Sequence, residues 1–349
     1  MNIYVLPTSE LGMNDKLFDQ PLSNTGGVSH LPFLDGLRDA AEPFGHEAHT
    51  ADFWSKKTSK PDDILVVQNH PGETVLWRML YYVKRFRAKG GFILARRKFV
   101  YENYRYFKRR VLVQAESPMV MPYVYRHLEA VKRSGMYHRI MLTSKGWGDY
   151  DYFNPYDYRD HDIVSPHFNA PKNKFLILMN SNARPNSFAK ELYGERLRAI
   201  RYFSGIPGFD LYGPGWDRTP RHPRYLHYGK YARRVWRGRV DDKLATMSRY
   251  RFAICYENAS YPGYASEKIY DALAVGTIPV YLGATDIETF IPGDCFVDFR
   301  KFSGYADLHA HLSSFTEAEA AGYRRNILRF LKDSSNMRGI QTLVRQIVG

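Results

Sequence analysis

Residues 250–302 read YRFAICYENASYPGYASEKIYDALAVGTIPVYLGATDIETFIPGDCFVDFRKF. The apolar run 252–256 predicts a strand that ends in Glu257-Asn258. An irregular loop of Gly, Pro and Tyr follows, and Ser266-Glu267-Lys268 opens a helix that Gly276 closes. A second β-rich run, 277–282, comes at once. Strand, polar loop, helix start and strand in this order build a pocket for a phosphorylated ligand, because unpaired N–H groups at a helix N-terminus attract phosphate. A lysine at that start adds a point charge.

The same residues carry a likeness. CYENASYPGYASEKIYDALAVGTIPVYLG, residues 255–283, resembles the signature of the family 10 glycosyltransferases, the α1,3/4-fucosyltransferases. Their pattern is aromatic-Glu-Asn-Ser, a short loop, Tyr-x-[ST]-Glu-Lys, a helix and [VI]-Pro-[VI]-x-x-Gly, and nearly every element of it is present. A looser likeness extends to KFLILMNSN (174–182) and VLVQAESP (111–118), while residues 1–60 match nothing in the family. The resemblance implies an α/β protein of the GT-B type, two Rossmann-like doubly wound domains facing across a cleft.

Size and composition agree with a two-domain globular protein. A length of 349 residues lets each domain bury a core, and 44% hydrophobic with 25% charged residues excludes a disordered chain. No apolar run approaches the ~20 residues of a membrane span. The start, MNIYVLPTSELGMND, lacks the basic and apolar segments of a signal peptide. Cys255 and Cys295 give neither a disulfide framework nor metal-ligand spacing, and they read as buried thiols in a reducing cytoplasm.

The net charge of +14 calls for an acidic partner. Residues 84–110 hold eleven Lys/Arg against one acid, Glu102, with Tyr and Phe interleaved. Such a run is a solvated face, a surface drawn to an anionic inner membrane, or a nucleic-acid patch. No nucleic-acid-binding signature accompanies it, so nucleic acid is not expected as a partner.

Apolar runs at 64–68, 92–95, 111–115, 140–143, 175–179, 209–212, 252–256 and 278–282 end in polar or glycine-rich turns. Stretches with helical apolar spacing lie at 76–89, 121–133, 191–203 and 267–275. This alternation argues for parallel sheets and βαβ units. The Tyr-, Asp- and Pro-rich segment 147–170 reads as the linker. It divides an acceptor-binding domain, 1–155, from a nucleotide-sugar domain, 156–349. The latter takes in two closing helices broken near 333–336.

In open α/β sheets ligands sit beyond the carboxyl ends of strands. His70, Glu116, Ser181-Asn182, Tyr212 and Glu257-Asn258 all close apolar runs. Glu116-Ser117-Pro118 matches the family's Glu-Ser-Pro, whose glutamate is the proposed general base, and an attacking hydroxyl needs a carboxylate to take its proton. By position alone, a strand-end glutamate equally suits the start of the next helix. Lys268 holds the motif position that contacts pyrophosphate. Arg196, in LYGERLRAI (192–200), resembles the family's helix arginine, with Arg198 or Arg201 as alternatives. Fixed cations aimed at the β-phosphate stabilise the charge that bond cleavage leaves there. By the same motif Glu267 accepts hydrogen bonds from fucose hydroxyls, and Asn258 and Tyr264 shape the nucleotide and sugar pocket. Glu257 supports them, and Lys243 reads as structural. His70 is a cap, a packing residue or an acceptor contact.

Asp149-Tyr150-Asp151 has the Asp-x-Asp form of metal-dependent sugar transferases, and Asp160-His161-Asp162 lies close by. Neither follows a strand directly, and no catalytic metal or tightly bound cofactor is expected. The reading is an inverting transferase moving L-fucose from GDP-β-L-fucose to a glycan hydroxyl. The linkage expected is α1,3 to a GlcNAc-type acceptor, with type-I or type-II N-acetyllactosamine, an O-antigen sugar and the innermost N-glycan GlcNAc left open as the acceptor. A transferase using another nucleotide-deoxysugar and a basic polyanion-binding protein are the alternatives.

Overall fold

The computed structural model describes residues 2–8, 12–18, 36–71, 87–157, 163–218, 223–336 and 338–348. They divide into two units. The first holds strands β1 (Asn2–Leu6), β2 (Glu47–Thr50), β3 (Ile64–Gln68), β4 (Arg109–Gln114), β5 (Arg139–Leu142) and β6 (Asp151–Tyr152). Their order is β2-β1-β3-β4-β5-β6, every ladder parallel. Alternate residues of a strand point to opposite faces, and both faces are apolar, as a buried parallel sheet requires. Ile3, Val5, Ile64, Val66, Val111 and Val113 line one face. Tyr4, Leu6, Leu65, Val67, Leu112 and Leu142 line the other. That second face packs against Val100 of α2 (Arg87–Asn103), Val124 and Tyr125 of α3 (Pro122–Arg126) and Leu128 of α4 (Leu128–Arg133).

The first face is covered by α1 (Leu37–Ala41) and by a helix from the far end of the chain, Ile340–Val348. Its Ile340, Leu343, Val344 and Ile347 recur at helical spacing and form one apolar stripe against the sheet. The sequence expectation placed this helix with the second domain. The structure returns it to the first unit, because its stripe completes that unit's core.

The second unit holds β7 (Lys174–Met179), β8 (Phe209–Tyr212), β9 (Tyr250–Tyr256), β10 (Ile278–Leu282) and β11 (Val297–Asp298). The order β11-β10-β9-β7-β8 is again parallel throughout. Its helices are α5 (Tyr193–Phe203), α6 (Gly229–Val235), α7 (Lys243–Met247), α8 (Glu267–Ala274), α9 (Tyr305–Ser314) and α10 (Glu317–Lys332). In each sheet the first strand lies between the second and third, so successive connections leave it in opposite directions. Such a switch point opens a crevice at the carboxyl ends of the two central strands. In the second unit these are β7, ending before Asn180, and β9, ending before Glu257.

The run 92–95, read from sequence as strand-like, lies inside α2. Four apolar residues do not distinguish strand from helix, and the flanking Ala, Arg and Lys favour helix. The segment 147–170 is not wholly a linker, since Asp151–Tyr152 adds a sixth strand to the first sheet. The predicted helix at 121–133 is two short ones, and of the stretch 76–89 residues 76–86 lie outside the described residues.

Candidate functional site

Helix α8 starts at Ser266, whose extended backbone marks the cap, and ends before Gly276 at φ +65°. A side chain at 276 would also come within 2.9 Å of Phe168 O, so glycine alone fits this C-terminal turn. The helix begins beside the end of β9, and Glu257 joins the two. Its carboxylate, 0% exposed, accepts the Ser266 N–H at 2.7 Å on Oε1 and the Ser266 Oγ–H at 2.6 Å on Oε2. The turn 282–284 presses on it. A Cβ at Gly283 would lie 2.5 Å from Glu257 Cγ and 2.3 Å from the Tyr281 hydroxyl.

Lys268 reaches into the same corner. Its ammonium donates to Ser266 Oγ at 2.8 Å and stands 3.4 Å from both Glu257 Oε2 and Glu267 Oε1. Burial alone would lower the Lys268 pKa. The carboxylates of Glu267 and Glu257 outweigh it and hold the pKa above its ordinary value, so the lysine is charged. Two 3.4 Å contacts are longer than the 2.7–2.9 Å usual for a charge-assisted bond. Three oxygens thus hold the ammonium, two of them at long range.

Arg196 lies one helix away. It is 3% exposed on the inner stripe of α5, with Leu197, Ile200 and Phe203. Its Nε and Nη2 donate to Tyr256 O at 3.1 and 2.7 Å, and Nη2 also donates to Asn258 Oδ1 at 2.9 Å. The guanidinium covers the Tyr193 ring at 4.8 Å. Burial lowers its pKa, against the opposing pull of Tyr193, Glu257, Tyr264 and Glu267. Asn258 in turn offers Nδ2 to the buried Tyr264 hydroxyl at 3.4 Å. Among the three arginines considered, Arg196 alone turns inward. Arg198 pairs with Glu195 and Arg201 lies over Tyr231.

Ser181 and Asn182 follow β7 in a loop tied to the segment after β8. Asn182 N–H donates to Pro214 O at 3.0 Å, and its Nδ2 donates to Gly215 O at 2.9 Å. Gly213, at φ +126° and with Asn180 O only 2.1 Å from where a Cβ would sit, permits this close approach. Tyr212 closes β8. Its hydroxyl is 3.5 Å from that of Tyr250, in a cluster where Asp210 binds Tyr250, Lys174 and Arg237. Tyr212 and Asp210 are two apart on β8 and share the sheet face that carries Cys255, whose Sγ–H donates to Lys268 O at 3.2 Å.

In the first unit Glu116 follows β4, half-buried, with its main-chain N–H donating to Asn69 Oδ1 at 3.2 Å and its C=O accepting from Tyr125 OH at 2.8 Å. His70 is buried. Its Nδ1 is 2.9 Å from the Tyr137 hydroxyl, and its N–H donates to Gln114 Oε1 at 3.1 Å. Burial, reinforced by Arg96 and Arg97, brings its pKa down to about 4. His70 is thus a neutral packing residue. Asn69, which ties β3 to the Glu116 turn, carried no sequence signal beyond an asparagine closing an apolar run.

Among the described residues, no group of three His, Cys, Asp or Glu is placed to hold a metal ion. Asp149 faces Lys132 at 3.8 Å and Asp151 binds Arg139 at 2.7 Å. The triplet 160–162 lies outside the described residues. Both cysteines are free and buried, and burial raises the thiol pKa of each, that of Cys295 to about 12. No helix among the described residues is long and apolar enough to cross a membrane.

Residues 170–327 match glycosyltransferase family 10 (fucosyltransferase), C-terminal part. The chain is 26% identical over 210 residues to the 4-galactosyl-N-acetylglucosaminide 3-alpha-L-fucosyltransferase 9 of Rattus norvegicus, covering 58% of this chain and 51% of that protein. It is 39% identical over 83 residues to the alpha-(1,3)-fucosyltransferase 7 of the same organism, covering 23% of this chain and 22% of that one. The chain thus spans about half the length, or less, of these relatives. In fold it is similar to an alpha-glucosyltransferase solved with UDP-glucose and DNA containing an abasic site, with TM-score 0.53, 14% identity, and coverage of 100% of this chain and 98% of that one. The fold class is that of the GT-B glycosyltransferases.

Proposed function

We propose that this chain, a glycosyltransferase of family 10, moves L-fucose from GDP-β-L-fucose to a glycan hydroxyl with inversion at the anomeric carbon. The observation that carries the reading is Lys268, a charged ammonium held by Glu257, Ser266 and Glu267 at the first turn of α8, beside the switch point of the second sheet.

In this reading the β-phosphate takes its hydrogen bonds from Lys268 and from the α8 N–H groups, and charge developing there as the anomeric bond breaks meets a fixed cation. Arg196 adds a second positive charge. Its bonds to Tyr256 O and Asn258 Oδ1 give it a further task, bracing the strand end that carries the motif. Glu267 receives sugar hydroxyls, Asn258 and Tyr264 wall the pocket, and the Ser181–Asn182 loop lies at the nucleotide side. Tyr212, closing β8 with its hydroxyl 3.5 Å from that of Tyr250, belongs to the same nucleotide side. The first unit binds the acceptor, and Glu116 takes the proton of the attacking hydroxyl. The names of the relatives support a 3-hydroxyl of an N-acetylglucosaminide as acceptor.

These fixed cations supply what a divalent metal would at a diphosphate, so donor binding is expected to be metal-independent. Calorimetric titration with GDP, GDP-fucose, GDP-mannose and UDP-galactose, with and without EDTA, tests this. Binding of GDP and GDP-fucose that persists in EDTA is expected. Indifference to every guanine nucleotide would overturn the reading, and loss in EDTA would bring Asp149 and Asp151 back as ligands.

We assign the exposed basic and aromatic side chains of the first unit to an anionic membrane surface, reached from the cytoplasm. Phe53, Tyr101 and Tyr106 are exposed, Lys56 lies over Tyr106, and Arg97 lies over Tyr101. Salt-sensitive sedimentation with phosphatidylglycerol vesicles, and none with phosphatidylcholine, is the expected result. Equal binding to both, or to neither, would remove it.

A further inference from the structure

Asn69 follows β3 with a left-handed backbone, φ +56°. Few residues other than glycine adopt this region, and asparagine is the side chain most at ease there. The turn aims its carboxamide at the next strand. Oδ1 accepts the N–H of Ala115 at 2.8 Å and of Glu116 at 3.2 Å. These are the first two amides past the end of β4, where the ladder no longer supplies partners. The main chain of Asn69 is equally committed. Its N–H donates to Val113 O at 2.8 Å, and its C=O accepts from Arg96 Nη2 at 3.0 Å. Arg96 is buried on α2 and also binds Gln68 O. From the other side Tyr125 OH holds Glu116 O. Both polar groups of the Glu116 main chain therefore have fixed partners within the first unit.

We propose that Asn69 is a positioning residue for Glu116, its carboxamide setting the backbone from which the base carboxylate projects. This rests on the reading of Glu116 as the base. A catalytic group displaced by about 1 Å loses on the order of 10²-fold in rate, so a side chain that fixes such a backbone controls turnover without touching either substrate.

The test is Asn69→Gly, which keeps the positive φ without strain and removes only the carboxamide. We expect kcat to fall 10- to 100-fold with the GDP-fucose affinity within twofold of wild type and an unchanged near-ultraviolet spectrum. In a Glu116→Gln background the same substitution should change the residual rate by less than twofold. Asn69→Asp, which keeps an acceptor for both amides, should recover most of the loss. Wild-type kcat in Asn69→Gly overturns the proposal. So does loss of fold or donor binding in step with rate, or a full additional loss in the Glu116→Gln background. Glu116→Gln turning over like wild type would instead refute the base itself, leaving Asn69 with nothing to position.

Discussion

Lys243 and Asp271 form a buried ion pair that ties α7 to α8, three residues along the helix from Lys268. Asp271 is fully buried, and Lys243 is mostly so. Burial alone would lower the Lys243 pKa, but Asp271 and Glu267 together raise it, so the lysine is charged. The helix that presents Glu267 and Lys268 is thereby anchored from below as well as at its start.

Removing one partner should be worse than removing both. Lys243→Met leaves the Asp271 charge buried and is expected to cost about 3–5 kcal/mol in urea unfolding, whereas Lys243→Met/Asp271→Leu recovers most of it. A single variant as stable as wild type would show that the pair does not anchor α8.

Lys268→Ala removes the cation between two carboxylates. Turnover should fall by about 10²–10³-fold with weakened GDP affinity, measured by product formation and calorimetry. GDP affinity and turnover at wild-type level would place the diphosphate elsewhere.

Glu116→Gln keeps the shape and removes the proposed base. A drop of roughly 10²–10⁴-fold in kcat is expected, with donor affinity unchanged because Glu116 and Lys268 belong to different units. Loss of GDP-fucose binding in this variant would contradict that division of labour.

Gly283→Ala would press a methyl against Glu257 Cγ and the Tyr281 hydroxyl. Overpacking of this kind costs about 1–3 kcal/mol. Here it also displaces the carboxylate that orients Ser266 and Lys268, so donor affinity should fall together with the melting temperature. A melt identical to wild type would mean that the 282–284 turn yields freely.

His70 gives the first unit an acid limb of known sign. Its folded pKa, about 4, lies below the ordinary histidine value. The unfolded chain therefore binds more protons between pH 6.5 and 4, and stability falls as pH falls through that window. The loss should approach about 3 kcal/mol and be absent in His70→Gln. Equal pH slopes for the two proteins in urea titrations would show that His70 is not buried neutral.

The strongest sequence signals were those in which local pattern and tertiary place agree. Helix α8 and strand β10 lie within a residue of the expected 267–275 and 278–282, because cap, apolar stripe and closing glycine coincide there. Strand β2, EAHT, had no such signal, since a short strand with polar members gains its burial only from the neighbouring β1. Asn69 was illegible because its partners, Ala115 and Glu116, lie 46 and 47 residues away.

The closing helix Ile340–Val348 has a consequence for biosynthesis. The first sheet is assembled from strands translated before the second unit, yet one of its faces is sealed by residues translated after it. The described residues of the second unit, 163–218 and 223–336, lie between the two in sequence. Vectorial synthesis would thus let the later unit mature first. The earlier one waits with an apolar flank of Ile3, Val5, Ile64 and Val66 exposed to chaperones until translation reaches Val348.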